Sequence, residues 1–182
     1  GGAGSIGSQV VKELLKFNAR IIDVVDLDEN GLAELIRDIR STKKSYATEI
    51  KTFTLDIGHK SFEKMVLDKS KYDIWLNFAA IKHVRSEKDP YTLMRMLEVN
   101  IFNLHKTLLL AIKTKSKIYF SVSTDKAADP INFMGASKKI MELILGVFSK
   151  QIETKTARFG NVAFSNGSLL DSITKRFEKK QI

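Results

Sequence analysis

The chain has 182 residues, of which 43% are hydrophobic and 28% are charged, so it fits one globular domain and disorder of its bulk is excluded. It contains no cysteine, which excludes disulfides, thiolate zinc sites, iron–sulfur clusters and cysteine nucleophiles. Its longest apolar runs fall short of the roughly 20 residues of a membrane-spanning helix, and no secretory signal is visible. We therefore expect a cytoplasmic location, or membrane association if a membrane-spanning segment precedes this chain.

The net charge of +9 permits binding to anions such as nucleotides or nucleic acids. The lysines are scattered along the chain, however, and do not form a basic stripe interleaved with aromatic residues. This distribution is typical of a solvated surface, and we expect no nucleic-acid partner. The three histidines show no metal-ligand spacing, so no metal site is expected either.

Segments with strand character alternate with amphipathic helical segments along the chain. Strands are predicted at residues 20–26, 51–57, 72–80, 117–124 and 154–161, most of them as continuous apolar runs. Apolar residues at helical spacing predict helices that include residues 32–39, 93–112 and 134–148. The alternation predicts an α/β fold in which helices cover a parallel sheet.

The first seven residues, GGAGSIG, contain two overlapping glycine patterns, G-x-G-x-x-G and G-x-x-G-x-x-G. An amphipathic helix follows at once, and the next predicted strand ends in Asp26, at the distance typical of a dinucleotide-binding unit. Glycines let the backbone approach a diphosphate, and the carboxylate of Asp26 would bind the adenosine ribose and favour NAD over NADP. Asp26, Asp28 and Glu29 could also form an acidic metal cluster, but they equally fit a strand end and the first turn of a helix.

Such glycines normally follow a strand that lies at the centre of a Rossmann-like, doubly wound parallel sheet. The printed sequence begins inside the glycine pattern. We therefore expect one NAD-binding Rossmann domain over residues 1–182 that lacks its first strand and has a gap in the middle of the sheet.

Hydroxyl, carboxylate and amine groups are concentrated after the fourth predicted strand. Residues 121–126 read SVSTDK, and residues 132–138, which read NFMGASK, open the following helix. In open α/β folds, ligands bind at the carboxyl ends of the strands, so this region is the candidate catalytic face.

From these motifs the chain resembles the extended short-chain dehydrogenase/reductases, and among them the polysaccharide-biosynthesis branch that includes the inverting UDP-N-acetylglucosamine 4,6-dehydratases. The resemblance runs nearly end to end. It is carried by the segments GGAGSIGS, VVDLDEN, NFAAIKHVRSEKDP, STDKAADPINFMGASKK and ARFGNVAFSNGS.

The resemblance implies a tightly bound NAD, with NADP as the alternative. Asp56 and Ile57 would contact the adenine, Lys138 would hold the nicotinamide ribose, and Asn100 would support that lysine. The implied cofactor contacts are Gly1, Gly4, Ser5, Ile6, Gly7, Asp26, Asp56, Ile57, Ala79, Ala80, Lys82, Asn100 and Lys138.

The resemblance implies five catalytic-site residues: Thr124, Asp125, Lys126, Met134 and Lys138. Met134 stands where the superfamily has a tyrosine, and a thioether neither donates nor accepts a proton. The proton of the sugar 4-hydroxyl would therefore go to Asp125, to Lys126, or to a water positioned by Thr124 and Lys138.

The implied reaction is oxidation of a UDP-sugar at C4, loss of water across C5 and C6, and return of hydride to C6. Lys126 is expected to remove the C5 proton and Asp125 to protonate the leaving hydroxyl. The expected sugar contacts are Lys82, His83, Arg158, Asn161, Gly167 and Ser168. Two alternatives stay open: a UDP-sugar 4-epimerase, and a dinucleotide-binding module without turnover.

Relatives of this kind complete the sugar pocket with a C-terminal domain, so we expect the chain by itself to be inactive. They also form homo-oligomers through paired helices. The helices predicted over residues 93–112 and 134–148 are the candidates for that contact.

Overall fold

The computed structural model describes residues 1–42, 46–69, 71–163, 165 and 168–181. Within this part of the chain the five predicted strands are present: β1 (Ile21–Asp26), β2 (Glu49–Thr54), β3 (Ile74–Asn77), β4 (Ile118–Thr124) and β5 (Glu153–Phe159). The α-helices are α1 (Ser5–Leu14), α2 (Glu29–Ser41), α3 (Lys60–Lys69), α4 (Pro90–Leu97), α5 (Leu104–Lys113), α6 (Phe133–Phe148) and α7 (Leu169–Glu178).

All strand pairs are parallel, as predicted. β1 pairs with β2, while β3, β4 and β5 form a second sheet with β4 in the middle. Between β1 and β3 lies a cavity of about 150 Å³, lined largely by apolar side chains of the two strands and of α1 and α3. No described pairing joins β1 to β3. The N–H of Gly2 donates to the carbonyl of Val25 (3.1 Å) and holds the start of the chain beside β1.

Three apolar clusters hold the helices against the strands. One joins α5, β4 and α6 through residues such as Leu108, Tyr119 and Met141, none of which is exposed. A second joins α1, β1 and α2 through residues such as Val11, Val24 and Leu35. The third joins α3 to α5. Each large apolar side chain buried in this way contributes roughly 1.5–3 kcal/mol to stability, so these clusters account for much of the packing of the helices on the strands.

The helix predicted over residues 93–112 is present but is not regular. α4 leads directly into a π-helical segment, Glu98–Asn103, which leads directly into α5. π-Helical insertions are rare and often mark functional sites. This one contains Asn100, whose side chain is buried.

Three strands end earlier than predicted, and the difference concerns the site. β2 ends at Thr54, β3 at Asn77 and β5 at Phe159. After β3 the side chain of Asn77 accepts a hydrogen bond from the N–H of Ala79 (3.0 Å), so the chain turns instead of continuing the ladder. The predicted site residues after these strands consequently lie on loops at the carboxyl edge of the sheet.

No described helix combines the length and the apolar character needed to cross a bilayer.

Candidate functional site

A single cleft with a volume of about 890 Å³ lies along the carboxyl ends of the strands. This size suits a ligand of the dinucleotide or nucleotide-sugar class. Most of the residues predicted for the site line the cleft: Gly1, Gly4, Ser5, Ile6, Gly7, Asp26, Asp56, Ile57, Ala79, Ala80, Lys82, His83, Thr124, Lys126, Met134, Lys138, Asn161 and Ser168. The fold thus brings together residues that are up to 167 positions apart.

The glycine loop lies at one end of the cleft, where α1 begins. A side chain on Gly7 would clash with the carbonyl of Gly1, and one on Gly1 would clash with the backbone of Phe78 and Ala79. No described side chain caps the N-terminus of α1, and the first turn holds no acidic residue. Its N–H groups and the positive end of the helix dipole therefore form a cradle suited to a diphosphate.

Asp26 closes this end of the cleft. Its Oδ2 accepts the N–H of Ala3 (2.9 Å), and its Oδ1 accepts the N–H of Asp28 (3.1 Å). The side chain is 16% exposed and lines the cleft. A carboxylate here accepts hydrogen bonds from a ribose diol and repels a 2′-phosphate. The glycine cradle and this carboxylate together fit an NAD-type cofactor.

Asp56 is held by a residue that the sequence did not single out. Its Oδ2 lies 2.6 Å from Nη2 of Arg95 on α4, and its Oδ1 accepts the N–H of Gly58 (2.8 Å). Burial would raise the pKa of Asp56, but the hydrogen bonds from Gly58 and Arg95 lower it overall. Arg95 also lines the cleft. Arg95 was not identified from the sequence, because Asp56 lies far from it in sequence and the apolar spacing of a helix does not predict such an ion pair.

Asn100 joins the loop after β3 to α6. Its Oδ1 accepts the N–H of Ile81, and its Nδ2 donates to the carbonyl of Ile81 and to Oγ of Ser137, each at 3.0 Å. Asn100 does not line the cleft. No described hydrogen bond joins Asn100 to Lys138; Asn100 binds Ser137, the neighbour of Lys138 on α6.

Lys138 is buried in the wall of the cleft and is only 4% exposed. Its Nζ donates to the carbonyl of Val122 on β4 (2.9 Å). Burial lowers the pKa of Lys138 to about 8. Met134, one helical turn earlier, is also buried and lines the same wall.

Thr124, Asp125 and Lys126 form a linked group just after β4. The Oδ1 of Asp125 accepts from Oγ1 of Thr124 (2.9 Å) and from Nζ of Lys126 (3.0 Å). These two hydrogen bonds, that from Lys126 first, lower the pKa of Asp125. Thr124 and Lys126 line the cleft, whereas Asp125 does not and is exposed to solvent.

The residues predicted to meet the sugar are only partly brought together. Lys82, His83, Asn161 and Ser168 line the cleft. Arg158 does not: its Nε and Nη2 donate to the two carboxylate oxygens of Glu142 on α6, at 2.9 and 2.7 Å. Gly167 lies outside the described residues. Glu142 was also missed, although its spacing of four from Lys138 places both on one helix face.

Three relatives match the chain over nearly all of its length. An uncharacterized membrane protein of Methanocaldococcus jannaschii is 34% identical over 98% of this chain and 52% of its own length. A UDP-N-acetylglucosamine 4,6-dehydratase (inverting) of Campylobacter jejuni is 27% identical, over 96% and 51%. A UDP-glucose 4-epimerase of Rickettsia bellii is 29% identical, over 100% and 53%. The chain thus spans about half the length of these relatives.

Solved structures share the fold. The X-ray structure of Pen from Bacillus thuringiensis superposes with a TM-score of 0.84 at 26% identity, over all of this chain and 55% of that one. The dTDP-glucose 4,6-dehydratase DesIV of Streptomyces venezuelae, solved with NAD bound, gives a TM-score of 0.79 at 17% identity, over 98% and 61%. The family model described as "Polysaccharide biosynthesis protein" matches residues 1–182. The chain belongs to this polysaccharide biosynthesis family and has the Rossmann-like fold of the extended short-chain dehydrogenase/reductases.

Proposed function

We propose that the chain provides the cofactor-binding and catalytic part of an NAD-dependent nucleotide-sugar 4,6-dehydratase that acts on UDP-N-acetylglucosamine. One observation carries the proposal. A single cleft has a diphosphate cradle and Asp26 at one end, and Thr124, Lys126 and Lys138 at the other. This layout suits a dinucleotide that meets a sugar beside groups able to move protons.

The cofactor would be held by the chain's own backbone and carboxylates. The glycine loop and the start of α1 would bind the diphosphate, and Asp26 would bind the adenosine ribose. When bound, NAD supplies a hydride acceptor for C4 of the sugar and the hydride donor for C6.

The 4-hydroxyl needs a proton acceptor, and Met134 cannot be one. Among the acceptors left open by the sequence, a water positioned by Thr124 and Lys138 is the best suited, with the amine of Lys138 taking the proton from that water. The lowered pKa of Lys138, about 8, gives a useful fraction of neutral amine near neutral pH. The carboxyl of Asp125 is already engaged by Lys126 and Thr124.

Loss of water requires a base at C5 and an acid at the 6-hydroxyl. Asp125 and Lys126 form a hydrogen-bonded ion pair, with Nζ and Oδ1 3.0 Å apart. Transfer of one proton from Nζ to Oδ1 converts this pair into a neutral amine and a neutral carboxylic acid. Lys126, which lines the cleft, would then take the C5 proton, and Asp125, which does not line it, would protonate the departing hydroxyl through an intervening water, so that water leaves. The pair ends as it began, with its original charges and no net proton gained.

The decisive experiment incubates the full-length protein with UDP-N-acetylglucosamine in D₂O and follows the sugar by NMR. We expect a 4-keto-6-deoxy product with deuterium at C5. Lys126→Ala should abolish both water loss and C5 exchange while NAD binding is retained. C5 exchange that persists in Lys126→Ala would remove Lys126 from the base role.

The epimerase alternative is supported by the relative from Rickettsia bellii, which is as similar as the dehydratase. Epimerisation at C4 returns hydride to the carbon that lost it and needs no proton removal from C5. The amine of Lys126 at the cleft therefore favours dehydration. A product with inverted C4, an intact 6-hydroxyl and no deuterium at C5 would establish epimerisation instead.

A homo-oligomer is part of the proposal. The outer faces of α4, the π-helical segment and α6 expose large apolar side chains, among them Met94, Phe102, Leu143 and Val147. Exposed apolar patches of this kind mark interaction surfaces. Sedimentation equilibrium of the full-length protein should show a dimer or larger assembly, and Val147→Glu should shift it towards the monomer.

A further inference from the structure

Glu142 is a carboxylate near the site that accepts three side-chain hydrogen bonds, yet nothing in the proposed chemistry uses it. Its side chain is 13% exposed. One oxygen accepts from Oγ of Ser123 (2.6 Å) and from Nε of Arg158 (2.9 Å), and the other accepts from Nη2 of Arg158 (2.7 Å). A two-point bond between guanidinium and carboxylate fixes the relative orientation of both groups.

Glu142, Ser123 and Arg158 lie on three elements that meet at the end of the sheet. Ser123 on β4 and Arg158 on β5 face each other across the parallel pair. They stand one residue before the strands end, at Thr124 and Phe159. Glu142 thus clamps α6 to the carboxyl ends of both strands.

Lys138 stands one helical turn before Glu142 on α6. Its only described polar partners are the carbonyl of Val122 and the sulfur of Met141. Neither is a charged group that could fix the amine in one place. Because an α-helix is stiff over one turn, a clamp at Glu142 fixes where the backbone of Lys138 lies relative to β4.

We propose that Glu142 is a positioning residue, which sets the location of the Lys138 amine in the cleft by clamping α6 to Ser123 and Arg158. The catalytic consequence rests on the function proposed above, but the positioning itself does not. The residue does not line the cleft, so it acts through Lys138 and not on the ligand.

The test uses the full-length protein and two substitutions that remove the clamp from opposite sides, Glu142→Gln and Arg158→Gln. The first readout is reductive methylation of lysines followed by mass spectrometry of the peptide that holds Lys138. In the wild type the burial of Lys138 protects it. We expect its labelling relative to Lys139 to rise severalfold in both variants, and Glu142→Asp, which keeps the carboxylate, to restore much of the protection.

The second readout is turnover of UDP-N-acetylglucosamine. Misplacement of a reacting group by about 1 Å costs about 100-fold, so kcat should fall by that order in Glu142→Gln while KM changes little. Glu153→Gln is the matched control, since Glu153 lies on β5 and forms an ion pair with Lys155 (2.7 Å) far from the site. It should leave both labelling and turnover unchanged.

Folding is checked by circular dichroism and thermal unfolding. If Glu142→Gln does not fold, Ser123→Ala replaces it. This variant removes one of the three hydrogen bonds to Glu142, so we expect a smaller rise in the labelling of Lys138. Wild-type labelling of Lys138 in folded variants would overturn the positioning role. Absence of dehydration by the wild type would refute the proposed function but would leave the labelling result to decide the clamp.

Discussion

The two ends of the cleft are built in different ways. At the cofactor end, the glycine loop and Asp26 are linked by backbone contacts, such as the N–H of Ala3 bound to the Asp26 carboxylate. At the reaction end, Lys138, Asn100 and Glu142 are held by side-chain contacts between elements far apart in sequence. The first end therefore has a rigid, preformed geometry, whereas the second depends on a few buried polar pairs.

Lys138→Met should have the largest effect and would test the reaction end directly. Removal of a proton-transfer group costs about 10²–10⁴-fold in rate, so turnover of UDP-N-acetylglucosamine should fall by about 10³-fold. The same change should stabilise the fold at pH 7. The folded-state pKa of about 8 lies below the ordinary value of 10.5, so burial of the charged amine costs on the order of 3 kcal/mol at pH values below 8.

The sign of this effect can be checked across pH. Between pH 8 and 10.5 the unfolded chain binds more protons than the folded one, so wild-type stability should rise with pH and approach that of Lys138→Met. Urea unfolding at pH 7 and pH 10 measures both proteins, with Lys139→Met as the control. A variant less stable than the wild type at pH 7 would contradict the burial cost.

Gly7→Ala tests the rigidity of the cofactor end. The added methyl would collide with the carbonyl of Gly1, so the loop must shift and NADH binding should weaken by about 100-fold or more. Gly146→Ala is the matched control, since nothing lies within 4 Å of the added methyl in α6. It should leave binding intact and raise stability by about 0.5–1 kcal/mol. Titration of NADH fluorescence measures the binding, and equal affinities in the two variants would contradict a preformed cradle.

Asp26→Ser should change the preference of the site between NADH and NADPH. Loss of the carboxylate removes the repulsion of a 2′-phosphate, so the preference for NADH over NADPH should fall by about tenfold or more. Asp28→Ser is the control because Asp28 caps α2 through the N–H of Gly31 and does not line the cleft. An unchanged preference in Asp26→Ser would remove Asp26 from the ribose site.

Arg95→Met should have the smallest effect on cofactor binding among these variants. Without the guanidinium, Asp56 loses one of the bonds that fix it and its pKa rises towards the usual range. A hydrogen bond to a charged group contributes about 1.5–3 kcal/mol, and part of that should appear as roughly tenfold weaker NADH binding. Glu98→Gln removes the exposed partner of Arg95 and serves as the control. Unchanged NADH affinity would show that Asp56 needs no support from α4.

Much of the fold could be read from the sequence because local patterns dictate it. The alternation of apolar strands and helices predicted all five strands, and the glycine spacing before an amphipathic helix predicted the loop that starts α1. The strand ends were less predictable, because side chains such as Asn77, and not the apolar pattern, decide where the chain turns away.

The sequence by itself determined the cofactor end of the cleft, since a glycine loop, a helix start and a following acid are close neighbours along the chain and their geometry follows from backbone sterics. Only the tertiary structure decided which charged side chains pair along the cleft. Arg158 binds Glu142, Arg95 binds Asp56, and Lys138 is buried against β4, because these contacts depend on how separate elements pack and not on the spacing of residues within one element.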